Sequence, residues 1–383
     1  MTRSVHICVA SDPPVLSSFG GAIQRRVWEL ARHQASLGHH PIAYSVGPRR
    51  RTIHKDGAMI EYIPTLKTGP ARHLEFLTKV FAIEFANRET TVYNVHSEPE
   101  AVLGAKLLRA PSLLFYDNFV FRRGRLRSAY SRMLRGFDVL APCSTYCANE
   151  SIRYWGLDDK RNSMTVVHNG VDLVHFRPDK AAGEARRQLL GLEGRVILYV
   201  GRVTTQKGTD VLLDAFNMMD RSDCTLLIAG PIDQFSGSSS DMEDAWATRM
   251  KRPRVRYLGP LAEQDLAATY NAADVFVMPT RQLEMFGMAA VEAQSCGLPV
   301  IASDHGGLRE TVPLEVGGRF PVGDASELAN RLLRLLDDPE ALDACSQEAR
   351  RNAERFGWQR IVRQLDRVYD RLGLTIAEQF ATE

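Results

Sequence analysis

Two glutamates stand eight residues apart in TRQLEMFGMAAVEAQSCGLPVIAS, residues 280–303, with Phe286 and Gly287 between them. The apolar run DVFVMPT comes just before, so Glu284 is predicted on the loop after a strand and Glu292 inside the following helix. At ~1.5 Å rise per residue the pair would span about 12 Å, of the order of the distance from sugar ring to ribose in an extended nucleotide sugar. The first carboxylate can accept hydrogen bonds from sugar hydroxyls, and the second can take the two ribose hydroxyls. Between them, the backbone N–H groups of Phe286, Gly287 and Met288 at a helix start suit an anion, and Gly287 lets a ligand approach the backbone. Alone, Glu284 would be an ordinary acid at a helix start and Glu292 a surface residue. The small and apolar setting MAAVEAQSCG makes that plainer reading of Glu292 less comfortable.

A second segment, VGRVTTQKG at 200–208, places Arg202 directly after an apolar run and Lys207 just before Gly208 and a helix. Two fixed cations beside a helix N-terminus can cradle a diphosphate. The plainer alternative is a solvated loop in which Arg202 pairs with a carboxylate.

Elements of one kind must position these residues. Short apolar runs alternate with amphipathic helical patterns: VHICVA, HPIAYSV, MIEYIP, TTVYNVH, SLLFYD and DVLAPCS in the first half, RVILYVGR, CTLLIAGP, VRYLGP, DVFVMPT and LPVIAS in the second. This is βαβ alternation, and it predicts parallel, doubly wound α/β sheets. A length of 383 residues exceeds one ordinary core. Two similar Rossmann-like domains facing one another across a cleft are therefore expected, one over residues 1–172 and one over 173–357. Their joint is placed in VVHNGVDLVHFRP, a strand-like run punctuated by Asn169, Gly170 and Pro178. The last helix, from about Trp358, has no strand partner and is expected to pack back on the first domain. The segment GPIDQFSGSSSDMED reads as a surface loop. In open parallel sheets ligands bind beyond the carboxyl ends of the strands, which is where Arg202, Lys207 and Glu284 fall.

Composition narrows the classes. The chain is 44% hydrophobic and 25% charged with a net charge of +2, so there is no global basic field and no nucleic-acid partner is expected. Six cysteines are scattered without zinc-like spacing, which suits free thiols in a reducing cytoplasm. MTRSVHICVASDPP reads as a first strand rather than a secretory segment, and no run approaches the ~20 apolar residues of a membrane span. Peripheral contact stays open: FRRGRLRSAYSRMLRG carries Arg122, Arg123, Arg125, Arg127, Arg132 and Arg135, either a basic face for anionic lipid or an acidic acceptor, or simply a solvated helix face.

Taken together, the motifs resemble those of the retaining family-4 glycosyltransferases of the GT-B fold. EMFGMAAVEAQSCGLPV resembles their E-x7-E signature, VVHNGVDLVHF their interdomain segment, and VGRVTTQKG their diphosphate segment. VRYLGPL resembles their base-side loop, SDHGGLRETV their Gly-Gly turn, and SFGGAIQRRVWELARHQASLGH their N-terminal Gly-Gly loop and helix. The resemblance implies two facing domains with the C-terminal helix crossing back. It implies that Arg202 and Lys207 hold the leaving diphosphate, that Glu284 and His96 contact the transferred sugar, and that Glu292 holds the ribose. The amides of Phe286, Gly287 and Met288 would bind sugar and phosphate, Leu261 would lie at the base, and Gly20 and Gly21 would close over the phosphates. Asp117 and Arg25 would face the acceptor. Two positions depart from the pattern: Met285 replaces a small residue or proline, implying a narrower sugar pocket, and Tyr116 stands before Asp117 where a histidine is common.

No Asp-x-Asp pair occurs in the chain, so the cationic pair is expected to act without a metal, and no cofactor is expected. The implied reaction moves a hexosyl or N-acetylhexosaminyl group from a nucleotide sugar, a UDP-sugar by family habit, to a hydroxyl of a small polar metabolite, a glycan or a lipid. A non-catalytic nucleotide-sugar sensor and a sugar-nucleotide epimerase on the same plan are the alternatives. The acids and bases an epimerase needs around the sugar ring are not evident.

Overall fold

The computed structural model describes residues 4–9, 22–67, 69–87, 92–97, 99–108, 111–116, 125–232 and 246–380. Gly20, Gly21, Asp117 and most of the Ser/Gly-rich loop lie outside the described residues. The chain separates into two units, Met1–Gly170 with Trp358–Glu383, and Val171–Gly357.

The first unit runs β1 (Ser4–Val9), α1 (Ala22–Ser36), β2 (His40–Gly47), β3 (Arg51–Lys55), β4 (Ala58–Pro64), α2 (Gly69–Asn87), β5 (Val92–His96), α3 (Val102–Leu108), β6 (Ser112–Tyr116), α4 (Arg125–Arg135), β7 (Val139–Pro142) and α5 (Thr145–Trp155). Its sheet has the order β3-β4-β2-β1-β5-β6-β7. The pairings are parallel except one: β3 and β4 form an antiparallel hairpin, which corrects the expectation of an all-parallel sheet. The hairpin turns on Asp56 and Gly57, with φ of 48° and 78°. Two successive left-handed residues are what a tight hairpin of type I′ requires, and Asp-Gly supplies them.

The second unit runs α6 (Lys180–Leu190), β8 (Arg195–Val200), α7 (Thr209–Met219), β9 (Cys224–Ala229), β10 (Val255–Gly259), α8 (Glu263–Asn271), β11 (Val275–Met278), α9 (Met288–Ser295), β12 (Val300–Ser303), α10 (Leu308–Thr311), β13 (Gly317–Phe320), α11 (Ala325–Asp337) and α12 (Pro339–Ala353). Its sheet, ordered β10-β9-β8-β11-β12-β13, is parallel throughout. Strands covered on both faces read as continuous apolar runs, as VILY in β8 and VFVM in β11 do. β8 and β11 are neighbours, so the loops that leave their carboxyl ends are adjacent. The run at 166–178 is not a strand; within it Val171 makes a single bridge, to Gly357.

The last helix, α13 (Trp358–Phe380), belongs to the first unit. Trp358, Ile361, Val362, Leu365, Val368, Tyr369 and Leu372 recur at helical spacing and share one core with Val27, Leu30 and Ala31 of α1. The Tyr369 hydroxyl oxygen accepts from Gln34 Nε2 at 2.7 Å and Asn94 Nδ2 at 2.6 Å, stitching the helix to α1 and β5. At Gly170 a Cβ would come within 2.2 Å of the Trp358 ring, so only glycine fits where the chain leaves the unit. Among the described residues no helix is long and apolar enough to cross a membrane.

Candidate active site

The second unit gathers most of the singled-out residues on three strand-end loops. After β8 the chain passes Gly201 to Arg202, which is exposed. Tyr199, buried at the end of β8, donates from its hydroxyl to the Arg202 carbonyl at 2.6 Å. Burial pushes this phenol far above its ordinary range, so it stays a neutral donor. Lys207 N donates to Thr204 Oγ1 at 3.0 Å, which shapes the turn into α7. Gly208 opens that helix at φ 71°, with its α-carbon so near the Pro279 carbonyl that a Cβ would lie 1.8 Å from the oxygen. That approach lets the loops after β8 and β11 lie against each other.

The two loops are then laced. The amides of Arg281 and Gln282 both donate to the Gln206 carbonyl at 2.9 Å. Lys207 Nζ meets Glu284 Oε2 at 2.8 Å, with the side chains 23% and 20% exposed. The predicted phosphate cation and the predicted sugar acid are therefore ion-paired neighbours. A third loop braces the acid from behind: Gly307 N donates to the Glu284 carbonyl at 2.7 Å, and His305 Nε2 to the Thr280 carbonyl at 2.9 Å. A Cβ on Gly307 would fall 1.9 Å from the Met285 carbonyl oxygen, so the Gly306-Gly307 pair is needed for this contact. Asp304, at the root of the turn, is partly shielded from water, which raises its pKa, but Arg309 at 3.0 Å and Arg319 at 2.9 Å hold its carboxyl below the usual range.

Helix α9 starts at Met288 with Gly287 as its cap at φ 92°, so Phe286, expected at the helix start, stands before it. The physical reason is Phe286. Its ring is buried edge-on against Phe356 at 5.4 Å, and its carbonyl accepts from Thr311 Oγ1 at 2.8 Å. Glu284 is thus not on the helix axis, and the axial span inferred for the two glutamates does not hold over residues 284–287. Ala290 N and Val291 N are the amides that bond back to the Gly287 carbonyl, which leaves those of Met288 and Ala289 without an acceptor in the helix. Met285 is buried. Glu292 is also buried, and it accepts from the Tyr270 hydroxyl at 3.1 Å. Leu261 follows β10, partly buried.

His96 and Arg25 belong to the first unit. His96 ends β5 at 1% exposure, stacked on Phe115 at 4.7 Å, with the Arg26 guanidinium over the same Phe115 at 4.7 Å. Burial, then Arg26, push its imidazole well below the ordinary value, so it is neutral. Neither ring nitrogen has a hydrogen-bond partner among the described residues. Arg25 is partly buried on α1. In the arginine-rich segment, Arg127 and Arg135 reach the Tyr154 and Gly156 carbonyls, and Ser131 Oγ donates to the Trp155 carbonyl at 2.8 Å. Part of the basic face is thereby committed to the carbonyls that end α5. The sequence signal differs for the two tyrosines: Tyr199 is polar-tipped inside the apolar run of β8, whereas Tyr270 sits in the mixed helix EQDLAATYN and has none.

The two α/β units define a fold class that solved structures share. Sucrose-phosphate synthase (tll1590) from Thermosynechococcus elongatus is similar with a TM-score of 0.80 and 24% identity, over 97% of this chain and 100% of its own. Anabaena Alr3699/HepE, in complex with UDP and glucose, is similar with a TM-score of 0.78 and 19% identity, over 96% of this chain and 99% of its own. The fold is GT-B. The family model Glycosyl transferases group 1 matches residues 183–352 and the model Glycosyltransferase Family 4 matches residues 19–175, so each half of the chain matches a glycosyltransferase family model. D-inositol 3-phosphate glycosyltransferase of Thermobispora bispora is 39% identical over 214 residues, 54% of this chain and 50% of the relative. The chain spans about half the length of the curated relatives it matches.

Proposed function

We propose that the protein is a retaining, metal-independent glycosyltransferase that moves a hexosyl or N-acetylhexosaminyl group from a UDP-sugar to a hydroxyl of a small polar acceptor. The observation that carries this is the 2.8 Å pair of Lys207 and Glu284, which joins the loops leaving two adjacent strands, with Arg202 on the first loop and a helix opening after each. Cations and open amides aimed at one place stabilise charge that develops on a leaving diphosphate. Arg202 and Lys207 supply fixed positive charge there without a metal. Glu284 accepts from sugar hydroxyls, and Glu292 takes the ribose. In the first unit, the neutral His96 can donate from one ring nitrogen and accept at the other, which suits a sugar hydroxyl. The UDP complex of HepE supports the base, and the D-inositol 3-phosphate glycosyltransferase of Thermobispora supports a phosphorylated cyclitol as acceptor.

Retention proceeds by attack on the face that the diphosphate leaves, with the leaving phosphate taking the acceptor's proton. Glu284, held at 2.8 Å by Lys207, acts as an acceptor of sugar hydroxyls rather than as the nucleophile of a double displacement. Incubation with UDP-, GDP- and ADP-sugars, with and without D-inositol 3-phosphate and EDTA, tests the proposal. The expected result is slow nucleoside diphosphate release without acceptor, faster release with it, no effect of EDTA, and a product of unchanged anomeric configuration by NMR. A new sugar isomer would instead mark an epimerase, and binding without turnover a sensor.

A further inference from the structure

The ribose end of the proposed site is built differently from the phosphate end. Glu292 lies on α9 between Val291 and Ala293, at 6% exposure. A carboxylate taken out of water is costly unless donors replace the lost hydration. Tyr270, on α8 and 0% exposed, supplies one: its hydroxyl donates to Glu292 Oε2 at 3.1 Å. The tyrosine ring is held edge-on by Phe176 at 6.0 Å and Phe276 at 5.7 Å, so the aim of the hydroxyl is set by packing on both sides. Cys296, one turn beyond Glu292, has its thiol pushed up to about 12 by burial and by the same carboxylate, and stays neutral beside it. An ionised carboxylate offers about four acceptor positions in one plane, and a donor held at one of them orients the others.

We propose that Tyr270 is a positioning residue for ribose recognition: its hydroxyl pins the Glu292 carboxylate in the plane that receives the ribose hydroxyls of the nucleotide donor. Tyr270 does not itself touch the ligand. Its role rests on the assignment of Glu292 to the ribose given above. Two hydroxyls taken by one carboxylate demand a set orientation, because rotation of the carboxylate plane breaks both bonds together. Tyr270 would therefore act on the ribose and not on the base, the diphosphate or the sugar.

The test compares ligands that differ at the ribose alone. Calorimetric titration identifies which of UDP, GDP and ADP the full chain binds best, and its 2′-deoxy counterpart is titrated beside it. Tyr270→Phe keeps the ring and deletes the hydroxyl. The expected loss is about tenfold for the ribonucleotide, which sets two hydroxyls on Glu292, and about threefold for the 2′-deoxynucleotide, which keeps only the 3′-hydroxyl there. Retained binding of the 2′-deoxynucleotide also shows that the variant is folded. In a Glu292→Gln background, Tyr270→Phe is expected to leave the ribo-to-deoxy ratio unchanged, because there is no carboxylate left to orient. Equal losses for both ligands in Tyr270→Phe, or an unchanged ratio in the wild-type background, would overturn the positioning role alone. A wild-type chain that binds none of the three nucleotides, or does not distinguish ribose from deoxyribose, would overturn the ribose assignment and this role with it.

Discussion

Lys207 and Glu284 are 77 positions apart in the chain and 2.8 Å apart at their charged atoms. With each about one-fifth exposed, deleting one leaves the other charge poorly compensated. Arg202→Ala and Lys207→Ala are each expected to lower kcat/KM about 100-fold or more, read as nucleoside diphosphate release. Full turnover in the double variant would remove the basis of the proposed function. Glu284→Gln keeps an acceptor oxygen. It should cost about tenfold in kcat with the product anomer unchanged, and intact mass spectrometry should find no sugar on the protein. His96 gives a pH dependence. Its folded-state pKa is depressed, so the unfolded chain binds the proton first and stability falls as pH drops below about 6.5, down to the folded-state value. Chemical-denaturation midpoints at pH 7.5 and 5.5 should differ less in His96→Phe than in the wild type. The residue types at the site were legible, because cations and acids after apolar runs have few structural uses. Their pairing was not, because periodicity identifies strands without saying which strand neighbours which.

Loops rather than helices decide where these groups sit. The Gly306-Gly307 turn after β12 presses on the backbone of Glu284 and Met285, and a side chain at 307 has no room. Gly307→Ala must push the turn off the Met285 carbonyl, at a cost of about 1–3 kcal/mol. A lower melting temperature together with a lower kcat is the expected outcome; a kcat loss without a stability change would argue against this bracing. The sequence pattern does not show where α9 starts, because Phe286 is drawn against Phe356, a tertiary contact that no helical pattern announces. Strand β3 is weakly marked in the sequence despite the Asp56-Gly57 hairpin signal, because its residues alternate weakly and are largely exposed. The arginines of α4 read as an open basic face because sequence does not show that α5 ends beside them.

For the molecule as a whole, the repeated βαβ rhythm was enough to expect two α/β units, and the terminal helix stood out by lacking a strand to pair with. What the pattern left out was how that helix is held. Tyr369 receives two buried amide donors, from Gln34 and Asn94, and Tyr369→Phe strands both. A loss of about 1–3 kcal/mol in urea denaturation is expected, with faster amide exchange along α13. An unchanged denaturation midpoint would show that the stitching contributes nothing. The order of synthesis then matters. On the ribosome, the strands of the first unit emerge early, but the helix that completes their core is translated only after the whole of the second unit. The nascent chain must carry an uncovered apolar face on α1 and its sheet through that interval, so the amino-terminal half is the part most in need of a chaperone and the last to mature.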